Sequence, residues 1–387
     1  MKAIHQLTTV ESILKQYNFE QPLNRFLAAY YRKNKQMGSK DRRVASHLTY
    51  NFFRIGTALI NEPLEIRLSV AEFLCNTETN SFISHFKPEW EAFIHLPIEE
   101  KLEKVKTEFS DFELAAIFPF AKNLSEKIDK EAFYKSFFIQ PDLYIRVQRG
   151  KEKQVIKNLE DAGLAFDRIN EQTLALPNGS KLDQVLTDKG IYEVQDVSSQ
   201  KVGTFFKPNK WDKWWDCCAA SGGKSLLLVD EEPTVKLLVS DNRESILDNL
   251  KERFFLAGLK NYQRKVLDLT KNQDLVLHDY EFDGIILDAP CTGSGTWGRT
   301  PEMITSHNEA RLKFYIGLQK KIAENVVKYL KQGKPLIYIT CSVFKEENEE
   351  QVKWLCKTFN LELEHEELVK GYNSKADTLF VARLVKN

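Results

Sequence analysis

The second half of the chain repeats one local pattern five times: a short apolar run, a turn of small or acidic residues, then an amphipathic stretch. The runs are WWDCCA (214–219), VKLLVSD (235–241), RKVLDL (264–269), DGIILDAP (283–290) and PLIYITCS (335–342). Near-continuous apolarity marks strands buried on both faces, and such strands alternating with helices build a parallel sheet covered on both sides. Helices fit between them in GGKSLLLV, RESILDNLKERFFLAG, ARLKFYIGLQKKIAENVVKYLK and KEENEEQVKWLCK. An open sheet of this kind takes its ligands at the carboxyl ends of its strands. What stands at those ends therefore decides the chemistry.

The first part of the chain carries a different signal. Apolar residues recur at helical spacing in VESILKQYNF, RFLAAYYRK, RRVASHLTYNFFRIGTALI and LSVAEFLC, which predicts a helical domain over residues 1–135. Near residue 136 the stretch FFIQPDLYIRVQRG reads as a strand after a proline turn, followed by the helix KEKQVIKNLEDAGL and the strand TLALP. That alternation predicts a small α/β module over 136–195, ahead of the sheet domain at 196–387. A chain of 387 residues with 42% hydrophobic residues is long and apolar enough for three such cores.

Charge needs the same division. The 55 Lys and Arg balance the 55 Asp and Glu, and a neutral chain argues against nucleic acid, because phosphate binding draws on excess base. Residues 25–54, however, hold eight bases against Asp41, while residues 61–120 are seven units negative. The basic stretch, with Arg32, Arg42 and Arg43 among aromatics, is a candidate RNA contact; a solvated helix face is its plainer reading. The six cysteines form no C-x-x-C pair, so no zinc or other metal is expected. No apolar run approaches the ~20 residues that span a bilayer, and the N-terminus has no continuous apolar segment of a secretory signal. The expectation is a cytoplasmic protein with reduced thiols.

The five strand ends differ in what they say. WWDCCAASGGKSLLL places Asp216 before a turn of small residues, Ala219 to Gly223, that opens a helix. Such a turn lets backbone amides approach a ligand, or is a tight connection and nothing more. In VSDNR, Asp241 is placed to hold the two hydroxyls of a ribose and also to cap the helix that follows. Asp268 suits the base of a nucleoside, or a solvated loop. The fourth end, DGIILDAPCTGSGTWGRTPE, is the most specific, delivering Asp288 and Cys291 to a loop with Gly293, Gly295 and Gly298. The fifth puts Cys341 between Thr340 and Ser342, ahead of the acidic stretch EENEEQ. Cys75, Cys217 and Cys356 read as small buried hydrophobes. Cys291 and Cys341 stand where ligands bind, and a thiolate there can act as a nucleophile.

Together the stretches QDVSSQ (195–200), DCCAASGGKS (216–225), SDNR (240–243), DAPCTGSG (288–295), YITCS (338–342) and TLFVARL (378–384) resemble the RsmB/Nop/Sun family of RNA (cytosine-5) methyltransferases. They cover the C-terminal half in that family's order. MGSKDRRVASHLTYNFFRIG (37–56) is similar to the basic helix of a NusB-like RNA-binding domain, and residues 136–195 to a small RRM-like subdomain. The resemblance implies an α/β fold: a Rossmann-like methyltransferase domain, mainly parallel with helices on both faces, behind the RRM-like module and the NusB-like helices.

It also implies roles. Cys218, Ala219, Ala220, Ser221, Gly222, Gly223 and Lys224 become the loop for S-adenosyl-L-methionine, Asp241 the ribose ligand and Asp268 a contact near the adenine. Asp288 becomes an acid shared by cofactor and reaction, Cys341 the nucleophile, and Cys291 the residue that assists release. The implied partner is RNA, ribosomal ahead of transfer RNA, with no metal, membrane or obligate protein partner. Ser221 departs from the family's usual Pro, and Trp297-Gly298-Arg299 replaces a more basic stretch. Trp297 and Arg299 are candidate substrate contacts, with Trp297 either stacking on a base or packing. A noncatalytic RNA-binding or ribosome-assembly factor on the same fold is the competing expectation. Retention of Asp288, Cys291 and Cys341 speaks against it.

Overall fold

In the computed structural model, which describes residues 2–387, the chain divides into two compact units. One comprises residues up to Lys122 together with Asp129–Gln140 and Thr296–Asn308; the other comprises Asn123–Ile128, Pro141–Gly295 and Glu309–Asn387. Among the described residues no helix is long and apolar enough to cross a membrane.

The first unit is helical, built on α1 (Ala3–Gln16), α2 (Leu23–Lys33), α3 (Ser39–Arg54) and α4 (Leu64–Cys75). Pro22 and Pro63 stand just before α2 and α4, where a missing N–H costs nothing and the fixed φ starts the turn. Ile13, Tyr17, Leu23, Leu27, Tyr30, Ala45 and Phe53 close one core, and Val10, Leu48, Leu68 and Phe82 a second. Leu23, Leu27 and Tyr30 follow one another at four- and three-residue steps, so one stripe of α2 is dry. Arg54 is only 1% exposed and donates to the Phe137 carbonyl at 2.8 Å and to Gln140 Oε1 at 2.7 Å. One of the eight bases counted in the basic stretch is thus a core fastener and adds nothing to the surface field.

The segment Thr296–Asn308 belongs to this helical unit although it follows the strand-end loop at 288–295 in the chain. Its Trp297 ring packs 5.6 Å from Phe118 and 5.1 Å from His307, and Glu302 Oε1 accepts from the Leu23 amide at 3.2 Å, capping α2.

The second unit holds two sheets. The smaller has the order β2-β3-β1-β4, with β1 (Leu143–Val147), β2 (Asp167–Arg168), β3 (Thr173–Leu176) and β4 (Tyr192–Val194), all antiparallel. Val155 and Leu159 of the helix Glu152–Asp161 pack with Ile145, Val147, Leu174 and Leu176. The larger has seven strands in the order β10-β11-β9-β8-β5-β6-β7. These are β5 (Lys213–Asp216), β6 (Lys236–Asp241), β7 (Tyr262–Val266), β8 (Gly284–Asp288), β9 (Pro335–Thr340), β10 (Leu361–Val369) and β11 (Leu379–Lys386).

Strands β5 to β9 run parallel, and β10 and β11 add an antiparallel edge. The order turns around between β5 and β8, because β6 and β7 extend one way and β9 the other. That reversal opens the crevice in which such sheets bind ligands.

Candidate active site

Each candidate residue owes its place to the end of a strand. Asp216 closes β5, fully buried, with Oδ2 accepting from Ser225 Oγ at 2.6 Å and Oδ1 without a protein partner. Burial, with Asp288 and Asp241 nearby, pushes its carboxyl up to about 7. The loop after it is pinned to its neighbours: the Cys217 amide donates to the Ile286 carbonyl and the Ala219 amide to the Ser240 carbonyl. Ala220 has φ 45° and Gly222 φ 83°, two left-handed residues that turn the chain into the helix Gly223–Glu231. At Gly222 a Cβ would lie 2.3 Å from the Phe254 ring, so this position admits only glycine.

Ser221 shows how the turn survives without the usual proline. Its hydroxyl accepts from Arg253 Nη1 at 3.0 Å, and Arg253 is itself paired with Glu193. Lys224, grouped with the cofactor loop on sequence, also reaches two other stretches of the chain. Its Nζ donates to Ser199 Oγ at 2.7 Å and lies 3.3 Å from Asp288 Oδ2. Ser199 comes from the QDVSSQ stretch, a motif whose role was not legible from the sequence.

Asp241 ends β6 and is 6% exposed. Its Oδ2 accepts from the Ala220 amide at 3.2 Å, and the Arg243 guanidinium forks across both oxygens at 3.0 and 3.2 Å. Asp268 lies two residues beyond β7, not at the strand's end as the apolar pattern predicts. Thr270 donates to its Oδ1 from Oγ1 at 2.6 Å and from its amide at 3.1 Å. The Thr270 side-chain bond holds the Asp268 carboxyl below its ordinary range.

Asp288 ends β8 opposite Ile339 of β9, so the loops leaving these two strands start side by side. That register brings Cys291 Sγ to 3.3 Å from Cys341 Sγ. The bond to Cys341, then burial, then the charges of Cys341 and Glu347 push the Cys291 thiol well up. Either sulfur can be the donor across this contact. The Gly295 amide donates to the Cys341 carbonyl at 2.9 Å, and the Thr378 amide to the Gly295 carbonyl at 2.9 Å. A Cβ at Gly295 would sit 1.9 Å from the Thr378 oxygen. The start of the TLFVARL stretch therefore clamps the loop that carries the first cysteine.

Cys75 and Cys217 are chemically quiet. Burial pushes Cys75 up to about 12 and Cys217 well above its ordinary value. Among the described residues no group of three or more His, Cys, Asp or Glu is arranged to hold a metal ion.

Two further residues carry no signal in the sequence. Glu347, 0% exposed, accepts from the Thr292 amide at 2.9 Å, Thr292 Oγ1 at 2.5 Å and Gln319 Nε2 at 3.1 Å. Gln319 Nε2 also donates to the Pro290 carbonyl at 3.0 Å.

The candidate substrate contacts lie in the helical unit. Arg32 and Arg43 are exposed on α2 and α3. Arg42 is half-buried, its Nε donating to the Met37 carbonyl at 2.9 Å. Trp297 is 1% exposed and packs among Phe118, Phe120 and His307, which matches the packing one of its two expected roles. Arg299 is half-buried beside it, its amide donating to Thr296.

Comparison with known proteins bears on this geometry. Residues 203–384 match the family model described as 16S rRNA methyltransferase RsmB/F. Two curated relatives carry the name ribosomal RNA small subunit methyltransferase B. The protein of Shewanella oneidensis is 31% identical over 204 residues, covering 52% of this chain and 46% of its own length. That of Enterobacter sp. is 27% identical over 282 residues, covering 68% and 64%. The chain thus spans about half to two thirds of the length of these relatives. Among solved structures, PH0851 aligns over 100% of this chain and 99% of its own with TM-score 0.72 at 21% identity. NSun6 from Pyrococcus horikoshii, solved with SFG, covers 69% of this chain and 97% of its own with TM-score 0.61 at 18% identity. At these identities the structural likeness is one of fold.

Proposed function

We propose that this protein, whose residues 203–384 match the RsmB/F methyltransferase family model, methylates carbon 5 of cytosine in RNA. Ribosomal RNA is the favoured substrate, in keeping with the names of its curated relatives. The observation that carries the reading is the convergence of Cys341, Cys291 and Asp288 at the ends of two adjacent parallel strands, with the two sulfurs 3.3 Å apart.

The donor and acceptor set fits S-adenosyl-L-methionine. Asp241 and Asp268, at and just beyond neighbouring strand ends, suit ribose hydroxyls and the amino group of a purine, and the left-handed turn at Ala220 and Gly222 brings main chain against the crevice. When bound, S-adenosyl-L-methionine supplies an electrophilic methyl carbon and departs as a neutral thioether. Arg243 must swing away from Asp241 for the ribose to take its place, a movement open to a side chain that is 58% exposed.

Carbon 5 of cytosine is a poor nucleophile. Addition of the Cys341 thiolate to carbon 6 breaks the ring double bond and moves electron density to carbon 5 and ring nitrogen 3. Asp288, sharing a proton with the Lys224 ammonium 3.3 Å away, donates a hydrogen bond to ring nitrogen 3 and takes up that charge. Carbon 5 then forms its bond to the methyl group. Its remaining proton passes to water, the Cys341–carbon 6 bond breaks, and the ring double bond returns. Cys291 keeps its proton and donates a hydrogen bond to the departing sulfur.

The helical unit, with Arg32 and Arg43 exposed, is the NusB-like element that holds the RNA, and the sheet β2-β3-β1-β4 is the RRM-like module. The test is RNA containing 5-fluorocytidine, whose fluorine cannot leave as a proton does. Wild type and Cys291→Ala form a denaturant-stable adduct, and Cys341→Ala forms none. An adduct that persists through Cys291 overturns the assignment. Bisulfite mapping of ribosomal and transfer RNA from cells with and without the protein decides the substrate class.

A further inference from the structure

We propose that Glu347 is the positioning residue that holds the Cys291 thiol against the Cys341 sulfur, and that it governs release of the RNA adduct more than its formation. The inference rests on the proposed cytosine-5 methyl transfer and assigns a task to a side chain outside the strand-end motifs.

Glu347 lies between β9 and the helix Glu349–Phe359, sealed from solvent. Its carboxylate takes three donors, two of them from Thr292, the residue that follows Cys291. The third donor, Gln319 Nε2, comes from the helix Glu309–Val326 and also holds the carbonyl of Pro290, the residue before Cys291. One carboxylate and one amide therefore grip the main chain on both sides of Cys291.

The grip is itself supported. Gln319 Oε1 accepts from Gln351 Nε2 at 2.8 Å, and the Tyr338 hydroxyl donates to the Glu347 carbonyl at 2.7 Å. On the opposite side, Thr340 Oγ1 donates to Asn348 Oδ1 at 2.5 Å, and Asn348 Nδ2 donates to the Ser342 carbonyl at 2.9 Å. These bonds hold the loop of Cys341 through Asn348, and Ser342 also reaches the Glu347 carboxylate. The asymmetry is one of degree: the Cys341 loop has the Asn348 anchors besides, whereas the Thr292 amide and the Pro290 carbonyl that flank Cys291 are held by Glu347 and its partner Gln319.

Charge acts in the same direction as geometry. Burial pushes the Glu347 carboxyl up while its donors pull it down, and in its ionised form it adds to the bond to Cys341 and to burial in disfavouring the Cys291 thiolate, so the thiol proton stays available to the departing Cys341 sulfur. In that step the carbon 6–sulfur bond breaks, the sulfur takes the electron pair, and the Cys291 S–H supports it through a hydrogen bond while the carbon 5 proton goes to water. A glutamine at position 347 would keep the shape, lose the charge and turn one acceptor into a donor facing other donors.

The experiment uses the full chain with S-adenosyl-L-methionine and a cytosine-containing RNA, following adduct formation and decay on denaturing gels in single turnover. Glu347→Gln is expected to slow decay about tenfold more than formation, so that adduct accumulates on unmodified RNA. Thr292→Val, which removes only the hydroxyl donor, shifts the same ratio by a smaller factor and decides the matter if Glu347→Gln does not fold. Equal slowing of both steps in a variant that folds and binds cofactor normally reduces Glu347 to a structural residue and overturns the inference. With 5-fluorocytidine RNA, failure of the wild type to form an adduct brings down the proposed reaction, and this inference with it. A wild-type adduct combined with an unchanged ratio in both variants brings down this inference alone.

Discussion

At the sheet edge a residue's task follows from where its strand stops; in the helical unit it follows from which side of a helix meets water. Asp216, Asp241, Asp288 and Cys341 each stand at or one residue past the end of a strand whose register is set by its neighbours. No side-chain choice elsewhere moves them far. In the helical unit, Arg54 and Arg43 lie on the same helix, yet the first is a core fastener and the second is exposed and able to meet phosphate. Position along the chain decides function in one region, and rotation about a helix axis decides it in the other.

The first consequence is the largest. On the proposed reaction, loss of the Cys341 sulfur removes the covalent step while leaving the strand that carries it, so Cys341→Ala should lower methyl transfer on the order of 10³-fold or more. Cofactor affinity, read by calorimetry, stays at the wild-type level. A variant that loses both would show that the sheet edge is less modular than its geometry.

Next comes Asp216, whose buried carboxyl is raised to about 7. Between the unfolded value near 4 and about 7, the folded state holds a proton that the unfolded state has lost. Stability is therefore fully present below about pH 4 and falls as pH rises to about 7, by on the order of 4 kcal/mol at the top of that window. Asp216→Asn, which keeps an acceptor for Ser225, should flatten this contribution. Thermal melting of both proteins at pH 5 and pH 8 checks it, and an equal drop in the two would remove Asp216 as the source.

Gly295 follows, with a steric origin. An alanine there drives a Cβ to 1.9 Å from the Thr378 carbonyl oxygen, which is backbone and cannot turn aside. Gly295→Ala should cost about 1–3 kcal/mol in denaturant unfolding and slow methyl transfer by separating the two cysteine loops. Gly317→Ala, where a Cβ meets nothing within 4 Å, is the neutral control.

The same contrast explains what the sequence disclosed. Strands β5, β6, β8 and β9 were legible because burial on both faces leaves little besides apolar residues in them, and their ends could be read to within a few residues. Strand β10 was missed. Its LELEHEELV pattern exposes charged residues along an edge, and a bulge between Leu363 and His365 breaks the register with β11. The membership of Thr296–Asn308 was illegible for another reason: only long-range packing of Trp297 on Phe118 reveals it, and no local pattern encodes that. Glu347 hid in an acidic run that reads as a solvated helix face, because a buried carboxylate is recognised by its three donors and not by its neighbours in sequence.

The smallest expected effect tests the helical side of the comparison. Arg32, with its Nε on the Ala28 carbonyl, and Arg43 are exposed, whereas Arg42 is half-buried against the Met37 carbonyl and Arg54 is buried. If surface orientation is what counts, Arg32→Glu with Arg43→Glu should weaken RNA binding and lower the slope of log affinity against log salt by about 0.7–0.9 for each phosphate that is no longer neutralised. Arg54→Glu should instead unfold the helical unit, because it leaves the Phe137 carbonyl facing a buried acid. With the double variant, cofactor affinity and adduct formation on saturating RNA remain at wild-type levels, since the strand ends are untouched. A salt slope identical to wild type would take these two residues out of the RNA site and leave the binding surface to be sought among other exposed bases such as Lys33, Lys35 and Lys40.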